Sequence, residues 1–145
     1  MSTKRDLMLF LAGCMIVAVL GAVRLDAVPL TAAPSCRGQA HAMARLELLF
    51  GTARPTGDAI TEEQWTAFLD AEVTPRFPAG LTVLEGTGQW RGRTGVDRER
   101  SNVLIIWYEP TARADQQIEA IRTAYKRRFD QESVLRVDSV SCVSF

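Results

Sequence analysis

The spacing of apolar residues changes period several times between His41 and Phe145, and the order of those changes limits the folds open to the chain. Ala44, Leu46, Leu48 and Phe50 alternate with Arg45 and Glu47, the period of two that marks a strand with one buried face. Gly51, Pro55 and Gly57 break this strand. Thr61-Glu62-Glu63-Gln64 then forms a capping box, in which the Thr61 hydroxyl and the Gln64 amide satisfy free N–H groups at a helix start, with Ile60 and Trp65 placed as a hydrophobic staple. Trp65, Phe68, Leu69 and Val73 share one face of that helix, and Pro75 and Pro78 forbid its continuation. Residues 81–90 and 102–108 read as the strands of a hairpin, joined by a long polar loop over 91–101. A second helix carries the stripe Ala114, Ile118, Ile121, Tyr125 and Phe129. Lys126, Arg127 and Arg128 close it, their charges complementing the negative end of the helix dipole. Residues 133–145 suit a last strand with a bulge near Ser139.

The order is β-α-β-β-α-β. Two right-handed β-α-β units joined by a hairpin give the ferredoxin-like arrangement, an α+β fold with a four-stranded antiparallel sheet and both helices on one face. In that topology the first and last strands are neighbours, which sets Cys36, just before strand one, beside Cys142 near the end of strand four. A Cys36–Cys142 disulfide is therefore expected wherever the compartment is oxidising, the alternative being that Cys142 is simply a small core residue.

Residues 7–23, LMLFLAGCMIVAVLGAV, form an uncharged and mostly apolar run behind Lys4 and Arg5. Three readings fit. The run is a cleaved secretory peptide, ending near Gly21-Ala22 or Thr31-Ala32-Ala33. Alternatively it is an uncleaved anchor, at the short end of the ~20 residues that span a bilayer core. In the third reading Leu11-Ala12-Gly13-Cys14 is a lipobox and Cys14 the acylated residue, although apolar residues continue past Cys14. Each addresses the chain out of the cytoplasm, to the periplasm or beyond, with membrane contact only through this segment. Residues 24–40, rich in Ala and Pro, read as a linker, which divides the chain into a leader with linker over 1–33 and one domain over 34–145.

Charge narrows the partners. Lys and Arg together number 17, as do Asp and Glu, and losing the leader's Lys4, Arg5, Asp6, Arg24 and Asp26 leaves the chain within one charge of neutral. Nucleic acid binding needs a basic excess or a basic face, so it is not expected. His41 is the one histidine, and a closed metal site would have to recruit carboxylates from scattered places, so no metal is expected. No cofactor is expected either: Gly86-Thr87-Gly88 opens no helix behind it, as a dinucleotide fingerprint would require. No nucleophile-elbow sequence accompanies His41.

Several blocks, in order, carry a resemblance: Arg45-Leu46-Glu47-Leu48-Leu49-Phe50-Gly51, Glu63-Gln64-Trp65, Glu72-Val73-Thr74-Pro75-Arg76-Phe77-Pro78, Gly88-Gln89-Trp90-Arg91 and Tyr125-Lys126-Arg127-Arg128-Phe129. Over residues 40–145 the chain resembles the bacterial domain of unknown function family 3574. The resemblance implies a small exported or membrane-associated bacterial protein, and it brings no reaction, cofactor or catalytic residue.

Candidate site residues are those a plain fold does not require. Gly86 and Gly88 leave one face of strand two bare beside Trp90, so a ligand or another backbone has room to approach. Gln89 and Arg91 supply donors nearby, Arg76 lies on a stiff segment between two prolines, and Tyr108 ends strand three. Against this stand plainer roles, with the glycines as a bulge, Trp90 as packing and Arg76 as the partner of Glu72. Three functions are consistent with these residues. The first is a non-enzymatic extracytoplasmic domain that binds an envelope protein or small ligand. The second is a cofactor-free enzyme with Arg76, Gln89, Trp90 and Tyr108 lining a cleft, and the third a membrane-anchored structural or assembly protein. Strand three, with Val103, Leu104, Ile105, Ile106 and Trp107, is apolar on both faces, whereas helices cover one. A homodimer through the uncovered sheet face is therefore expected, the alternative being that the linker and the long hairpin loop fold over that face.

Overall fold

The computed structural model describes residues 35–91 and 95–145. Its elements are β1 (His41–Gly51), α1 (Glu62–Phe68) continuing into a π turn (Leu69–Val73), β2 (Thr82–Arg91), β3 (Val96–Tyr108), α2 (Ala112–Phe129) and β4 (Leu135–Val143). The sheet order is β2-β3-β1-β4 with every neighbouring pair antiparallel, the α+β, ferredoxin-like arrangement. The expected leader readings, Cys14 among them, and the linker up to residue 34 lie outside the described residues. No helix among the described residues is long and apolar enough to cross a membrane.

Helix starts form where the local chemistry caps them. Thr61 accepts from the Gln64 N–H at 3.3 Å while the Gln64 side-chain oxygen accepts from the Thr61 N–H at 3.1 Å, and Ile60 and Trp65 on either side are both buried in the core. Thr111 caps α2 in the same way, accepting from the Ala114 N–H at 3.0 Å. The apolar stripe of α2 is buried throughout. In α1 the π turn brings Val73 as well as Phe68 into the core although they are five positions apart, and Leu69 packs at its margin.

Period two then decides which side of the sheet meets the helices. Leu46, Leu48 and Phe50 of β1 pair with Ile106, Leu104 and Asn102 of β3, and all six are buried on the helix side. Phe50 is ringed by Tyr125 at 4.6 Å and Trp65 at 5.1 Å between centroids, with Phe68 packed on Tyr125 at 5.0 Å. At the other margin, Arg136 of β4 ties the sheet to α2. Its guanidinium pairs with Asp115 at 2.7 Å, Glu119 at 2.8 Å and Asp138 at 2.8 Å. Burial works against the Glu119 carboxylate, yet hydrogen bonds from Arg122 and Arg136 hold it below the ordinary carboxylate range.

Two expectations need correcting. Residues 96–101 are strand rather than loop, because the β2–β3 ladder runs unbroken from Thr82↔Ile105 to Arg91↔Val96. They look like a loop in sequence because β1 ends at Gly51, opposite Ser101. Beyond that point the hairpin is a two-stranded ribbon with no core to face, and nothing demands alternating apolar residues. There is also no bulge at Ser139: the β1–β4 register is constant from His41↔Val143 to Leu49↔Leu135, and the serines there are simply spaced along a strand at the sheet edge.

Cys36 and Cys142 form the expected disulfide, their Cα atoms 5.4 Å apart across a sequence separation of 106. Core and disulfide are complete within one compact unit. Because the bond closes nearly the whole domain, reducing it should lower unfolding free energy by up to about 4–5 kcal/mol in the chain-entropy model. Denaturant unfolding with and without reductant measures this, and identical midpoints would deny the bond a stabilising role.

Candidate functional site

The side of the sheet opposite the helices shows a sharp division along the strands. Leu84, Val103, Leu49 and Leu135 form one row across all four strands, followed by Thr82, Ile105, Glu47 and Val137, then by Trp107 and Arg45. The leucine row with Ile105, Val137 and Trp107 makes an apolar band crossed by Thr82, Glu47 and Arg45. Its outer members meet solvent: Leu84 is 51% exposed, Leu135 52% and Trp107 37%, while Ile105 at the centre is buried. Arg45 pairs with Glu47 and lays its guanidinium 5.7 Å from the centre of the Trp107 ring.

On the other side of the leucine row the residues become small. Gly86, Ser101 and Gly51 stand side by side on β2, β3 and β1. Beyond them, Glu99 reaches over Gly51, where a Cβ would lie 2.6 Å from its carboxylate. Glu99 accepts the Trp90 indole N–H and the Ala53 N–H, the latter at 2.6 Å. Trp90 in turn folds its six-membered ring onto Gly88, where a Cβ would lie 2.6 Å from the ring. From the helix side, Tyr125 donates to the Gly51 carbonyl at 2.9 Å. Burial pushes the Tyr125 phenol above its ordinary range, and the Glu99 carboxylate adds to that.

The result is a cleft of about 370 Å³ between the leucine row, Trp90 and the turn after α2. Asp130, left-handed at φ 55°, ends α2, and Gln131 donates to the Ala53 carbonyl at 2.5 Å, which fixes the far wall. Asp97, Glu99, Asp130 and Glu132 line the cleft against the single cation Arg91. Among the described residues no group of three or more His, Cys, Asp or Glu is placed to hold a metal ion.

Of the residues singled out from sequence, this cleft gathers Trp90 and Arg91. Gln89 alternates with Trp90 and so lies on the opposite side of β2. Arg76 donates to the Glu72 carbonyl at 2.5 Å and pairs with its carboxylate at 2.9 Å, in a groove between the helices. Tyr108 packs edge-on against Phe77 at 5.9 Å, and burial raises its phenol, with Asp138 adding and Arg136 opposing. A cleft uniting Arg76, Gln89, Trp90 and Tyr108 is therefore not assembled. The bare strip expected over Gly86 and Gly88 is half filled, because Trp90 itself takes the space over Gly88. Sequence reasoning missed Glu99, Asp97 and Ser101, since they fall in the stretch read as a loop. The available signal was Glu99 two positions before Ser101 in a segment that also continues the period of Val103 and Ile105.

The family model described as "Protein of unknown function (DUF3574)" matches residues 45–145, and the chain belongs to that family. No curated protein matches it. Among solved structures it is similar to a phage SAM lyase in complex with S-methyl-5'-thioadenosine, at 14% identity and TM-score 0.57, covering 77% of this chain and 97% of that one. The apo form of a phage SAM lyase gives 17% identity and TM-score 0.50, covering 79% and 97%. CutA from Synechococcus elongatus PCC7942 gives 17% identity and TM-score 0.42, covering 72% and 80%. At these identities the likeness concerns the fold.

Glu99→Ala should free the Trp90 indole and the Ala53 amide together. The expected result is a red shift of Trp90 emission, isolated by a Trp90→Phe control, with a stability loss of about 1–2 kcal/mol. Unchanged emission would show that Glu99 does not position the ring.

Proposed function

We propose that this domain is a binding and interaction module working outside the cytoplasm, with no reaction of its own, and that its working surface is the open side of the sheet. The observation that carries this reading is the apolar band across all four strands, from Leu84 through Val103 and Leu49 to Leu135 and on to Trp107, on the side the helices leave uncovered. Contiguous apolar surface of this kind is costly to leave in water and marks interaction sites.

Location outside the cytoplasm is supported by the Cys36–Cys142 bond, since such bonds persist mainly in oxidising compartments, and by the apolar leader in the sequence. Absence of a reaction is supported by how the polar groups are used. Glu99 is spent on holding Trp90 and Ala53, Arg76 on Glu72, and Arg136 on three carboxylates.

The occupant we assign to the band is a second copy of the chain. A two-fold contact sets the same patch against itself, and the row of four apolar side chains across the strands supplies a self-complementary centre. An envelope protein is the other occupant the same surface fits. Sedimentation of residues 35–145 at micromolar concentration should show a dimer, and Trp107→Asp should return it to monomer with little change in melting temperature, because the side chain is partly exposed. A wild-type monomer throughout the concentration range would reject self-association.

A further inference from the structure

We propose that the cleft beside Trp90 receives an organic cation, an amine, guanidinium or quaternary ammonium group carried on an apolar or aromatic body. The site rests on reading the domain as a binding module, but not on its self-association.

Charge gives the first argument. Asp97, Asp130 and Glu132 line the cleft and make no ion pair among the described residues, while Glu99 is occupied by the Trp90 and Ala53 N–H groups. Arg91 is the only cationic residue among the lining groups. The lining carries more negative than positive charge, which disfavours anions, and a positive group meets carboxylates that make no ion pair among the described residues.

The second argument is the indole. Trp90 is 39% exposed at the cleft wall, and its position is set by Glu99 at the N–H and by Gly88 beneath the six-membered ring. An oriented, solvent-facing indole attracts cations through its quadrupole, more strongly than Tyr or Phe does. The ring also spends two glycines on its placement, Gly88 under itself and Gly51 under its Glu99 partner.

The shape of the cleft agrees with this. Leu49 and Leu135 line it beside Gly51 and provide apolar cover for the ligand body. The volume of about 370 Å³ suits a small molecule, within the roughly 300–1,000 Å³ of ordinary ligand pockets.

The test uses three probes of one shape and different charge: benzamidinium, benzamide and benzoate. Each is titrated into residues 35–145, a unit with its own complete core, and the indole N–H resonances of Trp65, Trp90 and Trp107 are followed by NMR. Benzamidinium should shift the Trp90 resonance saturably and leave Trp65 unmoved. Benzamide and benzoate should bind at least about tenfold more weakly, and a double Asp97→Asn, Glu132→Gln variant should weaken benzamidinium by about tenfold. An unshifted Trp65 resonance in that variant reports an intact core. Equal response to all three probes, a response confined to Trp107, or no saturable shift of Trp90 would each overturn the proposal. Sedimentation is read separately, so failure here and failure of self-association are distinguishable.

Discussion

Everything in this domain hangs on β1 (His41–Gly51), the one strand paired along both edges by strands from distant parts of the sequence. β3 lies on one side and β4 on the other. Its helix-side residues Leu46, Leu48 and Phe50 are the centre of the core, and Phe50 sits where the rings of Trp65, Phe68 and Tyr125 converge. Removing any of these rings would leave a void that costs about 3–5 kcal/mol, a large part of what a domain of this size has to spare. The disulfide ties Cys36, just before β1, to Cys142 in the outer end of β4, so the strand is held by burial at one end and covalently at the other.

Gly51 shows how this constraint reaches the cleft. It ends β1, gives its carbonyl to Tyr125 on the helix side, and leaves room for the Glu99 carboxylate on the open side. The aromatic core and the Trp90–Glu99 pair thus meet at one residue that has no side chain. Any larger residue there would push Glu99 away, and with it the indole that Glu99 holds. The cleft is therefore not an appendage on the fold but a consequence of where the central strand stops.

Much of the architecture was legible because it follows from repeated local rules. The Thr61–Gln64 capping box, the α2 stripe and the alternation in β1 each report burial directly, and the topology they imply brought Cys36 to Cys142. What could not be read was whatever depends on how far each strand's neighbours extend. Residues 96–101 pair only with β2 over most of their length, so burial imposes no pattern on them, and polarity made them resemble a loop. The same blind spot hid the site. Trp90 and Arg91 were visible from the glycines around them, whereas Glu99 and Asp97 lie across the ribbon, and Asp130 and Glu132 arrive from the turn after α2. Arg76 and Tyr108 attracted notice by residue type, but their neighbours Glu72 and Phe77 account for them.

The central claim is that the open side of the sheet is the working surface and has two separate parts, an apolar band for a second copy and a cleft for a cation. Hydroxyl-radical footprinting of residues 35–145 tests it most directly. As protein concentration rises, Trp107, Leu84 and Val137 should become protected while Trp90 stays reactive. Adding benzamidinium at low protein concentration should then protect Trp90 and leave Trp107 unchanged. Uniform reactivity of the band and of Trp90 under all these conditions would contradict the account.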